Sequence, residues 1–232
     1  GLVLAFMIPT GIMSFLWVSI NKGSIPLTLA VIVVSTVLSP FTVPFGVKVF
    51  VGSQIEFDIW SMMSGLLWMV VIPSLLGMLM NQLTKGRVKE MVGKPMSPFS
   101  KLGLMFVIIA NSAAAAPYFR DLSLKLLSII VTVFVIASIG YLIGMLAAKM
   151  FGWNRELAVS LTFNSGMRNI SAGVVVAIEY FPPAVSVPVI VGMLFQQILA
   201  SLYTVVLRKK FPVDKQENRD AGAAKVAVPV HR

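Results

Sequence analysis

Apolar runs of roughly 20 residues, broken by short charged or Pro/Gly-rich stretches, organise the whole chain. They fall at about 1–20, 25–44, 59–83, 102–118, 122–148, 157–180 and 184–207. Each is long enough to cross a hydrocarbon core of about 30 Å at about 1.5 Å per helical residue. The pattern predicts an all-α membrane protein, a multi-pass helical bundle of seven spans. A membrane β-barrel would instead alternate polar and apolar residues over segments of about ten, and no stretch here does so.

Two of the seven runs are interrupted inside. The first breaks at Pro9-Thr10-Gly11, so its opening half spans only about 12 Å. The sixth is broken by FNSGMRNISAG at 163–173, which places Arg168 about 17 Å from the start of its span, near the bilayer midplane. An arginine at that depth costs about 2.5–3.5 kcal/mol on insertion scales, so it is expected to face a protein interior or an aqueous cavity. Asn164, Ser165, Gly166, Asn169 and Ser171 lie beside it, and Gly166 permits local unwinding that frees backbone groups. Paired broken spans point to a transporter of inverted repeats with substrate at the midplane. Half-helix N-termini and the Arg168 charge favour an anionic substrate there.

Other polar and small residues in the spans are expected to serve packing, with a substrate contact the alternative for Gln196 and Gln197. Gly140 and Gly144 form a GxxxG pair, Ala113–Ala116 a second small-residue face, and Gln196 and Gln197 offer amides to a neighbouring helix. Pro73 and Pro188 are expected to bend their helices. Trp60 and Trp153 stand near span ends as interfacial anchors.

Composition agrees with this class, with 57% hydrophobic and 12% charged residues and a mean hydropathy of +0.90. The net charge of +10 is distributed by topology. Lys22, Lys85–Lys101, Lys149 with Arg155, and Arg208–Lys210 alternate with loops that hold few basic residues. The positive-inside rule then puts the 84–101 loop and the C-terminus in the cytoplasm and the chain in the cell membrane. Basic residues so dispersed, without aromatic platforms, argue against a nucleic-acid partner. The spans contain neither His nor Cys, and no two carboxylates are arranged for catalysis, so an enzyme is not expected. The lone His231 belongs to the stretch 209–232, which reads as a disordered cytoplasmic tail.

The stretches PTGIMSFLWVSINKGSIPLTLAVIVVSTVLSP (9–40) and NRELAVSLTFNSGMRNISAG (154–173) resemble the bile acid:sodium symporter family. They look like that family's two discontinuous helices, the fourth and ninth of ten, with the fifth helix ending in Ser35-Thr36-Val37-Leu38-Ser39-Pro40. The resemblance implies two inverted five-helix repeats, with substrate between a panel and a core domain and two sodium ions behind the helix crossing. It divides a membrane domain at 1–208 into the end of a first repeat (1–52) and a second repeat (53–208), with the first three helices absent. Substrate or ion-site candidates on this match are Thr10, Gly11, Ser14, Thr28, Asn164, Ser165, Gly166, Met167, Arg168 and Asn169.

The match is partial at the sodium positions. The resemblance implies sodium ligands at Ser14, Thr28 and Asn164, but Phe15 and Ile32 stand where the family has oxygen donors. Asn164 replaces a shared glutamate, and Arg168 replaces a sodium-coordinating glutamine. A guanidinium beside a hard cation repels it. Asn164 with Arg168 carries the same charge as one glutamate with two sodium ions, so the expectation is a small-organic-anion transporter in which Arg168 replaces a bound cation. No cofactor is expected, and sodium coupling is weak or absent. The alternatives are a truncated, inactive transporter and a non-transporting receptor or sensor.

Overall fold

The computed structural model describes residues 1–52, 57–120 and 123–212. Nearly all of these are helical: α1 (Leu2–Met7), α2 (Met13–Ile20), α3 (Ile25–Val51), α4 (Ile59–Leu66), α5 (Ile72–Leu83), α6 (Lys94–Arg120), α7 (Leu124–Met150), α8 (Arg155–Gly166), α9 (Ile170–Tyr180) and α10 (Ser186–Lys210). Four spans among them are long and apolar enough to cross a membrane: α3, α4 continuing into α5, α7, and α10 with the short turn before it. Side chains such as Phe45, Trp68, Phe106 and Leu124 are widely exposed around the bundle, as a protein solvated by lipid requires. His231 and almost all of the stretch read as a tail lie outside the described residues; α10 itself continues through Lys210.

The seven runs map onto these helices closely, and the two interrupted runs are α1–α2 and α8–α9. Polar caps set the entries: Asp58 accepts from Trp60 N (2.9 Å), Ser123 from Leu126 N (3.2 Å) and Asn154 from Leu157 N (3.0 Å). In α3 the ring of Pro40 leaves the Thr36 carbonyl without its helical donor, and the Ser39 hydroxyl takes that place at 2.7 Å. Pro73 has a comparable effect between α4 and α5, where the chain widens into a π-helical turn at Leu67–Val71. Pro188 behaves differently from the expectation. It stands in the first turn of α10, at the end where a proline is best tolerated, rather than in the helix interior.

Buried side chains gather around the two broken helices. One cluster joins α1, α3, α4 and α9 through Leu4, Ile8, Val43, Met62 and Val174. A second joins α2, α7, α8 and α10 through Val18, Tyr141, Phe163, Met167 and Leu199. The GxxxG pair closes α7 onto α8: a Cβ on Gly140 would press on the Ser165 carbonyl, and one on Gly144 on Leu161. Both breaks therefore sit at the centre of the packed mass.

Candidate functional site

The two breaks meet as a short antiparallel bridge between Thr10 and Arg168. Ile8 is extended (φ −59°, ψ 148°), as a residue before proline prefers, and Met167 is extended (φ −102°, ψ 127°) after the glycine that ends α8. Gly11 N–H donates to the Met167 carbonyl (3.1 Å), and Asn169 N–H donates to the Pro9 carbonyl (2.8 Å). Flanking helices hold each strand from outside. Ser35 of α3 accepts from Thr10 N (3.3 Å), and the side-chain carbonyl of Gln196 on α10 accepts from Arg168 N (2.8 Å). Backbone groups that would be costly to strand at membrane depth are thus satisfied within the protein.

Two glycines permit this approach. A Cβ on Gly11 would run into the backbone carbonyl of Arg168, and one on Gly166 into the ring of Tyr141. Tyr141 is fully buried and donates to the Gln196 backbone carbonyl (2.9 Å), so α7 and α10 together brace the α8–α9 break. Met167 is fully buried, and Ser165 turns its hydroxyl back to the Leu161 carbonyl (2.6 Å).

Below the crossing lies a buried, uncharged polar cluster. Thr10 Oγ1 donates to the Asn164 carbonyl (3.3 Å), Asn164 Nδ2 donates to Thr28 Oγ1 (3.2 Å), and Thr28 donates to the Ser24 carbonyl (2.9 Å). Ser14 Oγ and Asn164 Oδ1 are buried without any hydrogen-bond partner. A sodium ion asks for several oxygen ligands with negative charge close by. Ser14, Thr28 and Asn164 supply neutral oxygens only, while Phe15 and Ile32 present carbon and line an apolar cleft. No group of three acidic or His side chains suited to a metal occurs among the described residues.

Arg168 and Asn169, adjacent in extended chain, serve opposite sides of the crossing. Asn169 caps α9 (Ala172 N to Oδ1, 3.4 Å) and borders two clefts of about 360 and 480 Å³. Both clefts are closed on their far side by α4–α5, including Pro73 and Ser74. Arg168 lines a separate cleft of about 500 Å³ with Thr10, Ser35 and the apolar face of α3. Among the described residues no carboxylate and no side-chain hydrogen bond engages its guanidinium. Of the ten sequence candidates, the fold brings all to the crossing or the cluster beneath it.

Sequence reasoning left out two residues that hold this site. Ser35 was visible only as part of the Ser-Thr-x-x-Ser-Pro ending, and Tyr141, which lies between Gly140 and Gly144, was not singled out at all. Gln196 and Gln197 do bond between helices, to Arg168 N and to Trp17 Nε1 (2.9 Å).

Broken helices that cross with their free backbone groups paired at the centre of an apolar bundle define a class: multi-pass helical membrane proteins of the secondary-transporter type. Within it, residues 1–122 match the model of the Sodium Bile acid symporter family, and the chain belongs to that family. It is 52% identical over 209 residues to "Uncharacterized protein YbaS" of Bacillus subtilis (strain 168), covering 90% of this chain and 68% of that one. It is 24% identical over 210 residues to "Uncharacterized sodium-dependent transporter YocS" of the same organism, covering 90% and 64%. With "Probable sodium/metabolite cotransporter BASS1, chloroplastic" of Oryza sativa subsp. japonica it shares 25% identity over 219 residues, covering 93% and 52%. The chain thus spans about half to two thirds of the length of these relatives.

Proposed function

We propose that the protein is a secondary active transporter of a small organic anion that runs with little or no sodium coupling, Arg168 supplying the positive charge that a bound cation would otherwise supply. The carrying observation is the position of Arg168. Its guanidinium has no counter-charge among the described residues and lies across the crossing from the clefts that Asn169 borders. A fixed charge there acts on an anion in those clefts through a low-dielectric interior without touching it, as a coupling ion would. The neutral Ser14–Thr28–Asn164 cluster supports the same reading, because it lacks the carboxylate that would hold sodium against a neighbouring guanidinium.

The orientation proposed from charge, with a cytoplasmic C-terminus in the cell membrane, has support in the fold. Arg155 Nη1 donates to the Asn21 carbonyl (3.0 Å) and Asn21 Nδ2 to Thr204 Oγ1 (3.1 Å), which gathers Lys22, Arg155 and Arg208–Lys210 toward one end of the bundle. The division into a first-repeat end at 1–52 and a second repeat at 53–208 follows the same proposal. No role in catalysis or nucleic-acid binding is proposed. The test is uptake of labelled organic anions into proteoliposomes with and without an inward sodium gradient. Uptake that persists without sodium is expected, and strong, steep sodium dependence overturns the reading.

A further inference from the structure

Four chain segments converge at one end of the bundle: the turn between α2 and α3, the C-terminus of α7, the start of α8 and the last turns of α10. Arg155 Nη1 donates to the Asn21 carbonyl (3.0 Å), Asn21 Nδ2 to Thr204 Oγ1 (3.1 Å), and Ser24 N to Ser160 Oγ (2.7 Å). Trp153 N donates to the Ala148 carbonyl (3.0 Å), which folds the α7–α8 loop back on the end of α7. Arg208 lies one turn beyond Thr204, on the face of α10 that Asn21 meets. These segments carry Lys22, Lys149, Arg155 and Arg208–Lys210 against one carboxylate among the described residues, Glu156. Glu156 is exposed and pairs with none of them.

Three features set this end apart from a loop that only obeys the positive-inside rule. Arg155 is pinned through Nη1, yet its Nε, like Oδ1 of the 3%-exposed Asn21, is buried with no partner, so the protein satisfies this guanidinium only in part. α3 begins beside Lys22 with no side-chain cap on its first turn. Phe151 (66% exposed) and Trp153 (41% exposed) stack at 5.1 Å and give the site an aromatic rim where the apolar spans end.

We infer that this end of the bundle binds the phosphate of an anionic phospholipid, held by Arg155, Lys22 and Arg208 at the uncapped start of α3. Charge selects the class. A phosphodiester brings the negative charge and the acceptor oxygens that the unpaired cations lack, and it suits the fork of an arginine. A zwitterionic head would carry its own cation into the cluster. Depth selects the source, because a phosphate anchored at the membrane surface meets the site at a far higher local concentration than a dissolved one. A headgroup seated there ties the end of α2 and the start of α3 to α8 and α10, away from the helix crossing. The inference is independent of the transport reading and of which face is cytoplasmic, and its test measures binding rather than uptake.

The purified 232-residue chain in neutral detergent is titrated with phosphatidylglycerol or phosphatidylcholine, and native mass spectrometry counts the lipids retained. The first phosphatidylglycerol is expected to half-saturate at about tenfold lower concentration than phosphatidylcholine, the worth of one charge-assisted hydrogen bond. The preference should persist in about 0.5 M KCl, where diffuse attraction is screened within a few ångströms. Arg155→Gln should abolish it. Because the Arg155 bond to Asn21 also supports the fold, Lys22→Gln with Arg208→Gln, which removes no side-chain hydrogen bond among the described residues, is the second variant and should abolish it too. Lys85→Gln with Arg87→Gln removes as much charge from exposed positions elsewhere and should leave it intact. No preference for phosphatidylglycerol, its loss in high salt, its survival in both site variants or an equal loss in the Lys85 and Arg87 pair overturns the inference. Displacement of phosphatidylglycerol by millimolar inorganic phosphate assigns the site to a free anion and overturns the lipid as its source.

Discussion

Gly11→Ala isolates the demand that the helix crossing makes on the sequence. Gly11 does not need an unusual backbone conformation; it needs the absence of a side chain, because its Cβ would strike the Arg168 carbonyl carbon and oxygen. That group belongs to a rigid strand tied by Gly11 N to Met167 O (3.1 Å), Asn169 N to Pro9 O (2.8 Å) and Arg168 N to Gln196 (2.8 Å). Overpacking a well-packed interior costs about 1–3 kcal/mol, and weakening one crossing hydrogen bond adds about 0.5–1.5 kcal/mol. For a chain of this size, at about 2–4 °C per kcal/mol, the melting temperature should fall on the order of 10 °C. Gly77→Ala is the matched control: nothing lies near its Cβ in α5, and alanine is the better helix former by about 1 kcal/mol. Both variants are melted in the same detergent by intrinsic tryptophan fluorescence. If Gly11→Ala melts with the control, the close approach of the two breaks is refuted.

The Tyr141 brace predicts that Gly166→Ala destabilises by about 1–3 kcal/mol and that Tyr141→Leu, costly alone, recovers part of that loss; a double-mutant cycle in thermal melts gives the coupling. Gln196→Leu strands the Arg168 amide and should cost about 1–3 kcal/mol, measured in the same melts. Ser14→Ala removes a buried hydroxyl that has no partner, so it should leave stability within about 0.5 kcal/mol of the parent in both sodium and choline buffers. Asn164→Glu combined with Arg168→Gln restores a carboxylate to the polar cluster and removes the competing charge. It should create a sodium-dependent stabilisation, worth about 2.7 kcal/mol near a hundredfold excess over Kd, where the parent shows none.

Span positions were legible because lipid imposes a length and an apolarity that composition reports directly: the runs at 59–83 and 122–148 agree within about two residues with α4–α5 and α7. The breaks were legible for a related reason. Proline, glycine and small polar residues clustered inside a span free backbone groups that lipid cannot satisfy, so the chain there must open within protein. The place of Pro188 was less legible, because a window of hydropathy does not fix a helix start to the residue; the turn at Pro183–Val185 puts the proline in the first turn of α10. The direction of Arg168 was equally hidden. Arg168 and Asn169 look like one polar patch in sequence, yet extended backbone turns successive side chains to opposite faces, so one lines the α3 cleft and the other the α4–α5 clefts.

That alternation constrains how the site works. A residue that binds an anion directly would have to share a cleft with it, and Asn169, Ser171 and Ser74 do share one. Arg168 is held outside that cleft by the same two hydrogen bonds that make the crossing, so its charge is fixed relative to the scaffold rather than to the substrate. On the proposed reading, a built-in charge cannot leave with the cargo and would contribute affinity without contributing ion coupling. Concentrative uptake by such a protein would need a different driving ion or exchange against a second anion. Counterflow separates these: labelled anion drawn into vesicles preloaded with unlabelled anion, equally in sodium and in choline, is the behaviour that a fixed Arg168 charge requires, and counterflow seen only in sodium contradicts it.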